Sequence, residues 1–461
     1  MLLARALRLA PPFDTGQGGT IAFVGAGGKT TALFQLARRL PQPVLVTTTT
    51  HIGAWQTRFA DHHLIPQNTA DLTQDQFDGV TLVTGPIQDD RLTGLNEDVL
   101  SGLHTRLRDK KNPLLIEADG SRQKPLKAPN RQEPVIPAFT DTVVVVAGLS
   151  GLGRPLNEDH VHRPQLFSTL GGIPLNAAIT PDALIHVLAH PNGGLQNIPP
   201  GARRIVLLNQ ADTPELQSVG GRMSLPLLEH FDSVVVGSTH NSQFHACERT
   251  AGIVLAAGAS TRYGRTKQLL DWHGEPFIRV IAKTALKAGL SPVLVVTGAD
   301  ADEVESRIND LPVVVVRNRN WQSGQASSIQ AGIQALHPPP LSDTSPISPE
   351  FEGGWGGVGS AVFLLADQPQ IKTDVIQALV EHHAVDLYPI VAPLVMMEQR
   401  ANPVLFDRLT FPDLLQLKGD VGGRAVFSKY PVEYLPWHDD RLLLDVDKPE
   451  DYRRLTEDDT L

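Results

Sequence analysis

Cysteine is nearly absent: Cys247 is the single one in 461 residues. No intrachain disulfide can form, which argues against a secreted, cross-linked scaffold. A basic excess is missing too. Forty lysines and arginines face 50 aspartates and glutamates, a formal charge of −10, and such a surface disfavours nonspecific nucleic-acid binding. No stretch approaches the roughly 20 apolar residues of a membrane span. The opening Met-Leu-Leu-Ala-Arg-Ala-Leu-Arg is interrupted by arginines and offers no continuous signal-type core. The expectation is a cytoplasmic enzyme with no nucleic-acid or membrane partner. Hydrophobic content of 41% and charged content of 20% are ordinary for globular chains, and the length allows two large α/β domains.

The most informative stretch present is 253–270. An apolar run over 253–257 ends in Gly258-Ala259-Ser260-Thr261-Arg262-Tyr263-Gly264-Arg265-Thr266-Lys267. A buried strand that delivers a small-residue loop can turn backbone N–H groups toward an anion. Arg262, Arg265 and Lys267 add three cations able to spread over a triphosphate. Gly258 and Gly264 are expected in conformations that a Cβ would forbid, letting a nucleotide approach closely. Farther on, Asp367 follows the apolar run 362–365, and Asp447 follows 442–444. Ligands of open α/β sheets bind at the carboxyl ends of strands, and Mg²⁺ favours carboxylate and phosphate oxygens. Asp367 and Asp447 are therefore the expected metal holders, reaching Mg²⁺ from opposite sides.

The first half carries a second phosphate-loop pattern. The apolar run 20–24 leads into Gly25-Ala26-Gly27-Gly28-Lys29-Thr30-Thr31, and a helical pattern with Leu33, Leu36 and Leu40 follows. Strand, glycine loop, lysine, hydroxyl and helix N-terminus are the parts of a P-loop, in which amides cradle phosphate, the lysine neutralises it and Thr30 can touch Mg²⁺. Position 23 is phenylalanine where the standard pattern has its first glycine, so this loop is shorter than that of ordinary P-loop NTPases. Thr47 to Thr50 sit just past another strand pattern, and Glu117 and Asp119 end the run 114–116 as a Walker-B-like element would. Asn209-Gln210-Ala211-Asp212 follows the run 205–208. His160 and His162, two apart, suit neither a helical metal pair nor a triad, and Cys247 reads as a linker thiol.

Taken in order, the C-terminal motifs resemble the MobA-like nucleotidyltransferases, and among them the MocA branch, the molybdenum cofactor cytidylyltransferases. The likeness covers about residues 250–461. It includes Asn318, Trp321, Gly324 and Ser327 to Gly332, Ala366-Asp367-Gln368-Pro369, and Asp445-Val446-Asp447-Lys448-Pro449-Glu450-Asp451, with lysine at 448 where the family has threonine. The resemblance implies nucleotide contacts from Leu255, Ala256, Ala257, Gly258, Ser260, Gly264, Ser327 and Ser328. It also implies Lys267 on the α-phosphate, Arg262 on the outer phosphates, and transfer of CMP from CTP to Mo-molybdopterin. Ala256-Ala257-Gly258, rather than Ala-Gly-Gly, points to the cytidylyl branch by the same likeness. Ala401-Asn402-Pro403 departs from the usual Gly-His-Pro.

The N-terminal motifs, over about 15–240, resemble the YqeC family, accessory proteins of selenium-dependent molybdenum hydroxylases. Pro125-Leu126-Lys127-Ala128-Pro129 and His160-Val161-His162-Arg163 belong to that likeness. It implies nucleotide contacts from Gly25, Gly27, Gly28, Lys29, Thr30 and Thr31, with a client molybdenum hydroxylase as partner. Asn209 and Asp212 resemble a guanine-reading Asn-Lys-x-Asp motif with glutamine at 210.

The fold class expected is α/β in two domains. A P-loop-like, mostly parallel sheet spans 1–240, a polar linker 241–250, and a Rossmann-like (GT-A-like) nucleotidyltransferase sheet 251–461. A Pro- and Gly-rich stretch, about 337–359, reads as a mobile insertion. A guanylyl- or sugar-phosphate nucleotidyltransferase, or a non-catalytic cofactor chaperone, is the alternative. The Asp367/Asp447 pair speaks against a chaperone, since a pure binder needs no metal-holding carboxylates.

Overall fold

Runs of valine, isoleucine and leucine, too short for helices and closed by glycine or a polar residue, become strands throughout the chain. The computed structural model describes residues 1–10, 19–73, 76–260, 263–336 and 357–457. These divide into two units, Met1–Cys247 and Glu248–Leu461.

In the first unit the main strands are β1 (Thr20–Gly25), β2 (Val44–Thr48), β3 (His62–Leu64), β4 (Val80–Val83), β5 (Leu114–Glu117), β6 (Thr142–Gly148), β7 (Arg203–Asn209) and β8 (Ser233–Ser238). They lie in the order β8-β7-β6-β1-β5-β2-β4-β3, and the neighbours pair in parallel. β2, β5 and β8 are buried along their whole length, as parallel strands covered on both faces must be. β1 has β6 on one side and β5 on the other. Chain connections therefore diverge at its carboxyl end, the place where open sheets form ligand crevices. The helix Lys29–Ala37 starts there, three residues after β1.

The stretch expected as a linker is strand from Gln243 onward, since β9 runs Gln243–Ala256. Its first half alternates in burial, with Phe244, Ala246, Glu248 and Thr250 turned inward. That period-2 signal is carried by small and polar residues, so hydropathy hides it. Cys247 is partly buried and packs against the core of the first unit, a position unlike that of a linker thiol.

The second unit adds β10 (Val293–Thr297), β11 (Val314–Arg317), β12 (Val358–Leu365), β13 (Ile390–Val395), β14 (Val404–Asp407) and β15 (Val432–Trp437). Their order is β11-β10-β9-β12-β14-β13-β15. β14 is antiparallel to both neighbours, and the other pairings are parallel. This is the Rossmann-like arrangement expected. Residues 337–356 of the stretch read as a mobile insertion lie outside the described residues, and Val358 already opens β12. Among the described residues no helix is long and apolar enough to cross a membrane.

The glycine loop after β1 is locked by backbone contact. Gly27 has φ +85, and a Cβ there would stand 2.3 Å from the Gly148 nitrogen and 2.7 Å from the Pro125 oxygen. Backbone cannot swing aside as a flexible side chain can. Gly27→Ala is expected to destabilise the first unit by about 2–4 kcal/mol. Denaturant unfolding of the full chain, followed by a probe in that unit, reads the effect; an unchanged midpoint would contradict this packing.

Candidate functional site

In the second unit, the strand-end loop after β9 is held by its own side chains. The Ser260 hydroxyl accepts from the Lys267 amide at 3.0 Å. Gln268 is buried, and its Nε2 donates to the Gly258 oxygen at 2.9 Å and the Ala256 oxygen at 3.3 Å. Gln268 was missed in the sequence, where it reads as one more polar loop residue. Gly264 has φ +83, as its place in the loop predicts. Gly258 does not: its φ is not positive, and among the described residues a Cβ there would meet no atom within 4 Å. Glycine at 258 thus leaves open space beside the loop and relieves no backbone strain.

Register then brings the carboxylates in. Leu255 faces Leu365 in the β9–β12 ladder, and the Ala366 amide donates to the Leu255 oxygen at 3.1 Å. Asp367 therefore emerges beside the loop. Lys267 Nζ donates to Asp367 Oδ2 at 2.7 Å and to Asp447 Oδ1 at 3.1 Å, uniting residues 180 positions apart. Lys267 is mostly buried, with side-chain exposure of 13%, against 24% for Asp367 and 52% for Asp447. Burial pulls the lysine pKa down, but the two carboxylates outweigh it and hold the ammonium above its ordinary value. Asp445 goes the other way. Burial raises its pKa, and the charges of Asp367 and Asp447 add to the rise, while Gln368 Nε2 donates to it. Among the described residues no three His, Cys, Asp or Glu side chains converge as a metal site.

Asn318 ties the second expected segment together, since its Nδ2 donates to Ser327 Oγ at 2.8 Å and Ser328 Oγ at 3.1 Å. Both serines lie in the first turns of the helix Gln325–Gln334. Arg262 lies outside the described residues.

The first unit gathers a different cluster. Lys29 is enclosed, its side chain 2% exposed, with Nζ donating to the Gly25 oxygen at 2.7 Å and lying 3.2 Å from Asp119 Oδ1. Asp119 Oδ2 accepts from the Gly25 amide and from Lys127 Nζ. Lys127 also reaches Glu133, which Arg163 grips through both guanidinium arms at 3.0 and 2.8 Å. Burial raises the Glu133 pKa, yet Arg163 and Lys127 prevail and hold it at about 2. His162 beside them is pushed down to about 4, by burial first and then by Arg163 and Lys127. His160 hydrogen-bonds Asn157 Oδ1 at 3.1 Å.

Thr30 Oγ1 donates to Glu117 Oε2 at 2.7 Å, and burial raises the Glu117 pKa. A cleft of about 390 Å³ opens beside Thr30 and Thr31, floored by Phe34, Phe59 and Phe244. Asn209 is fully buried. Its Nδ2 donates to the Gly27 oxygen at 2.7 Å and to Thr239 Oγ1, and its Oδ1 accepts from the Thr239 amide. Its polar atoms brace the glycine loop. Asp212 accepts from Ser238 Oγ instead. Asp119, Lys127, Glu133 and Arg163 escaped sequence reasoning as one cluster because Lys127 sits on a short strand paired with Val161–His162, a contact between segments more than 30 residues apart.

Parallel sheets whose strand-end loops assemble lysine, carboxylate and exposed amides define nucleotide-handling α/β proteins. Family models match accordingly: the YqeC protein over residues 21–165 and the MobA-like NTP transferase domain over 252–434. The uncharacterized protein YqeC of Escherichia coli K12 is 34% identical over 221 residues, covering 46% of this chain and 83% of that protein. The nicotine blue oxidoreductase of Paenarthrobacter nicotinovorans is 30% identical over 214 residues, 44% of this chain and 95% of the relative. A probable molybdenum cofactor guanylyltransferase of Bacillus cereus G9842 is 35% identical over 88 residues, 19% of this chain and 44% of its own length. Among solved structures, Rv0371c of Mycobacterium tuberculosis H37Rv covers 45% of this chain and 98% of that one, at 26% identity and a TM-score of 0.38. The chain belongs to the YqeC family through its N-terminal half and to the MobA-like NTP transferases through its C-terminal half. It is a nucleotidyltransferase.

The buried charges of the first unit fix a pH dependence. His162 has its pKa at about 4 when folded and 6.5 when free, so between those values only the unfolded chain holds the proton. Stability of the first unit falls as pH drops through that window. Glu133, at about 2 against 4.5, adds a further loss below 4.5. Glu133→Gln removes the second component and costs about 3 kcal/mol near pH 7, because Lys127 keeps a buried charge with one carboxylate fewer. Denaturant titrations across the acid range check both; a flat profile for the native chain would contradict them.

Proposed function

We propose that the C-terminal unit transfers CMP from CTP to the terminal phosphate of Mo-molybdopterin, releasing pyrophosphate. An oxygen of the acceptor phosphate attacks the α-phosphorus of CTP. The bond from that phosphorus to the bridging oxygen of the β-phosphate breaks, and pyrophosphate leaves with the electron pair. The acceptor oxygen is already anionic near neutral pH, so no protein nucleophile or strong base is needed. Charge builds on the non-bridging oxygens and the leaving group, and catalysis consists of positioning and neutralising it.

The observation that carries the reading is Lys267, held between Asp367 and Asp447 at the mouth of the loop 257–267. Phosphate oxygens can take over its ammonium from the two carboxylates, placing it on the α-phosphate. The freed pair offers hard oxygen donors on one spot. Such a pair fits a divalent cation, Mg²⁺ in particular, once phosphate oxygens and water complete the shell. That ion would supply neutralisation of the α-phosphate and the leaving group. The space beside Gly258 leaves room for the nucleotide, and Ser327 and Ser328, braced by Asn318, fit a second contact. The molybdenum cofactor class is supported by the Bacillus relatives named as probable molybdenum cofactor guanylyltransferases. Cytosine rests on the Ala256-Ala257-Gly258 loop. Those relatives' names favour GTP as the second reading.

The N-terminal unit serves, in this proposal, as a cytoplasmic nucleotide-binding accessory to a molybdenum hydroxylase. The glycine loop, the Thr30–Glu117 pair and the cleft beside Thr30 support it.

Asp367→Asn is expected to lower kcat by about 100-fold or more with the unfolding midpoint nearly unchanged. Turnover like that of the native chain at ordinary Mg²⁺ would remove Asp367 from the mechanism. In pyrophosphate-release assays with Mo-molybdopterin, kcat/KM for CTP should exceed that for GTP by about tenfold or more, equivalent to roughly 1.4 kcal/mol. A preference for GTP would replace the cytidylyl reading with the guanylyl one.

A further inference from the structure

Asp367 has its place set by a ladder, since it stands two residues past β12. Asp447 lies on the segment 441–448, which follows β15, begins in a short helical turn at Asp440–Leu443 and is otherwise irregular. Lys267 bridges the two carboxylates in the free protein. In the proposed reaction it leaves them for phosphate, so something else must keep Asp447 beside Asp367.

Two glutamines of the loop after β12 hold that segment. Gln368 Nε2 donates to Asp445 Oδ1 at 2.5 Å, joining residues 77 positions apart. Gln370 Nε2 donates to the Arg441 oxygen at 3.1 Å and to the Leu444 oxygen at 2.6 Å. Both side chains are buried, Gln368 at 2% exposure and Gln370 at 8%. Leu442 and Val446 bury the apolar side of the same segment. Beyond Asp447, Asp451 Oδ2 accepts from the Asp447 amide at 3.0 Å and the Lys448 amide at 2.7 Å. The Asp447 peptide is thus gripped from both directions along the chain.

Asp445 has the wrong contacts for a third ligand. Its Oδ1 is taken by Gln368, and among the described residues no three His, Cys, Asp or Glu side chains converge as a metal site. The donor's chemistry fits a brace. A lysine or arginine at 368 would also hold Asp445, yet its charge would repel a divalent cation at Asp367 and Asp447. A neutral amide fixes the carboxylate and leaves the local charge negative.

We propose that Gln368 and Gln370 are positioning residues for the metal-holding pair. They set the separation of Asp367 and Asp447 through Asp445 and the backbone of 441–444, and Asp445 is an anchor, not a ligand. The inference rests on the transferase reading above, in which Asp367 and Asp447 share one divalent cation.

The test uses the full chain with CTP or GTP, whichever it binds, and Mn²⁺ as the probe, counted by its electron paramagnetic resonance signal. The Mn²⁺ lost on Asp367→Asn defines the C-terminal share of binding. Gln368→Leu should weaken that share by about tenfold or more, the scale of removing a hydrogen bond that orients a metal-holding carboxylate. Asp445→Leu, at an exposed position that the fold tolerates, should weaken it comparably. The double variant should go no further, because both changes act through one bond. Asp445→Asn keeps the accepting Oδ1 and should hold Mn²⁺ with near-native affinity. In transfer assays, raising Mg²⁺ should recover most of kcat in Gln368→Leu, which a collapsed site would not allow. Binding unchanged in both Gln368→Leu and Asp445→Leu overturns the clamp and spares the metal pair. Asp445→Asn losing as much as Asp367→Asn overturns it too, by making Asp445 a ligand. Mn²⁺ binding absent from the native chain, or left whole by Asp367→Asn, sinks the metal pair itself and the clamp with it.

Discussion

Charge is costly within a parallel strand buried on both faces, and the candidate site of each unit is organised by that constraint. Taking an ion out of water costs several kcal/mol unless partners compensate. Charged groups therefore accumulate where the ladder stops and loops supply partners. Glu117 closes β5, with Asp119 two residues on. Asp367 stands two residues past β12. In each case the neighbouring strand, β1 or β9, delivers at the same edge a small-residue loop whose lysine meets the carboxylate.

The two lysines nevertheless live in different electrostatic settings. Lys29 is sealed, with both its side chain and that of Asp119 2% exposed, and Lys127, Glu133 and Arg163 extend the network. Breaking one contact there leaves a buried charge with fewer partners, so the cluster helps hold the glycine loop. Lys267 faces carboxylates that water reaches, Asp447 most of all. Exchanging those carboxylates for phosphate oxygens costs far less than opening the Lys29 cluster. That contrast is why the catalytic proposal centres on the C-terminal unit, although both halves carry phosphate-loop patterns.

Much of this was legible in the residues themselves. The strand runs ending at Gly25, Glu117, Ala256 and Leu365 are apolar and short, and period and composition identify them. The loop residues that follow carry chemistry that few other roles explain, so Lys267, Asp367 and Asp447 stood out before any fold was known. The strand across 243–250 did not stand out, because Ala246, Glu248 and Thr250 point inward while reading as polar or small. Gly258 misled in a different way. A glycine's motive is steric, and sequence does not tell a strained backbone from an open approach.

The sequence by itself determined the two families and the α/β class, and it singled out the glycine-rich loops and the candidate lysines and aspartates, since each follows from local order along the chain. Tertiary structure alone decided which groups meet. Asp447 joins Lys267 across 180 residues, and Asn209 turns from an apparent base reader into a brace for Gly27. Lys127, Glu133 and Arg163 become one charged cluster. Such meetings depend on sheet register and on the desolvation each side chain experiences, and both are properties of packing between segments far apart in sequence.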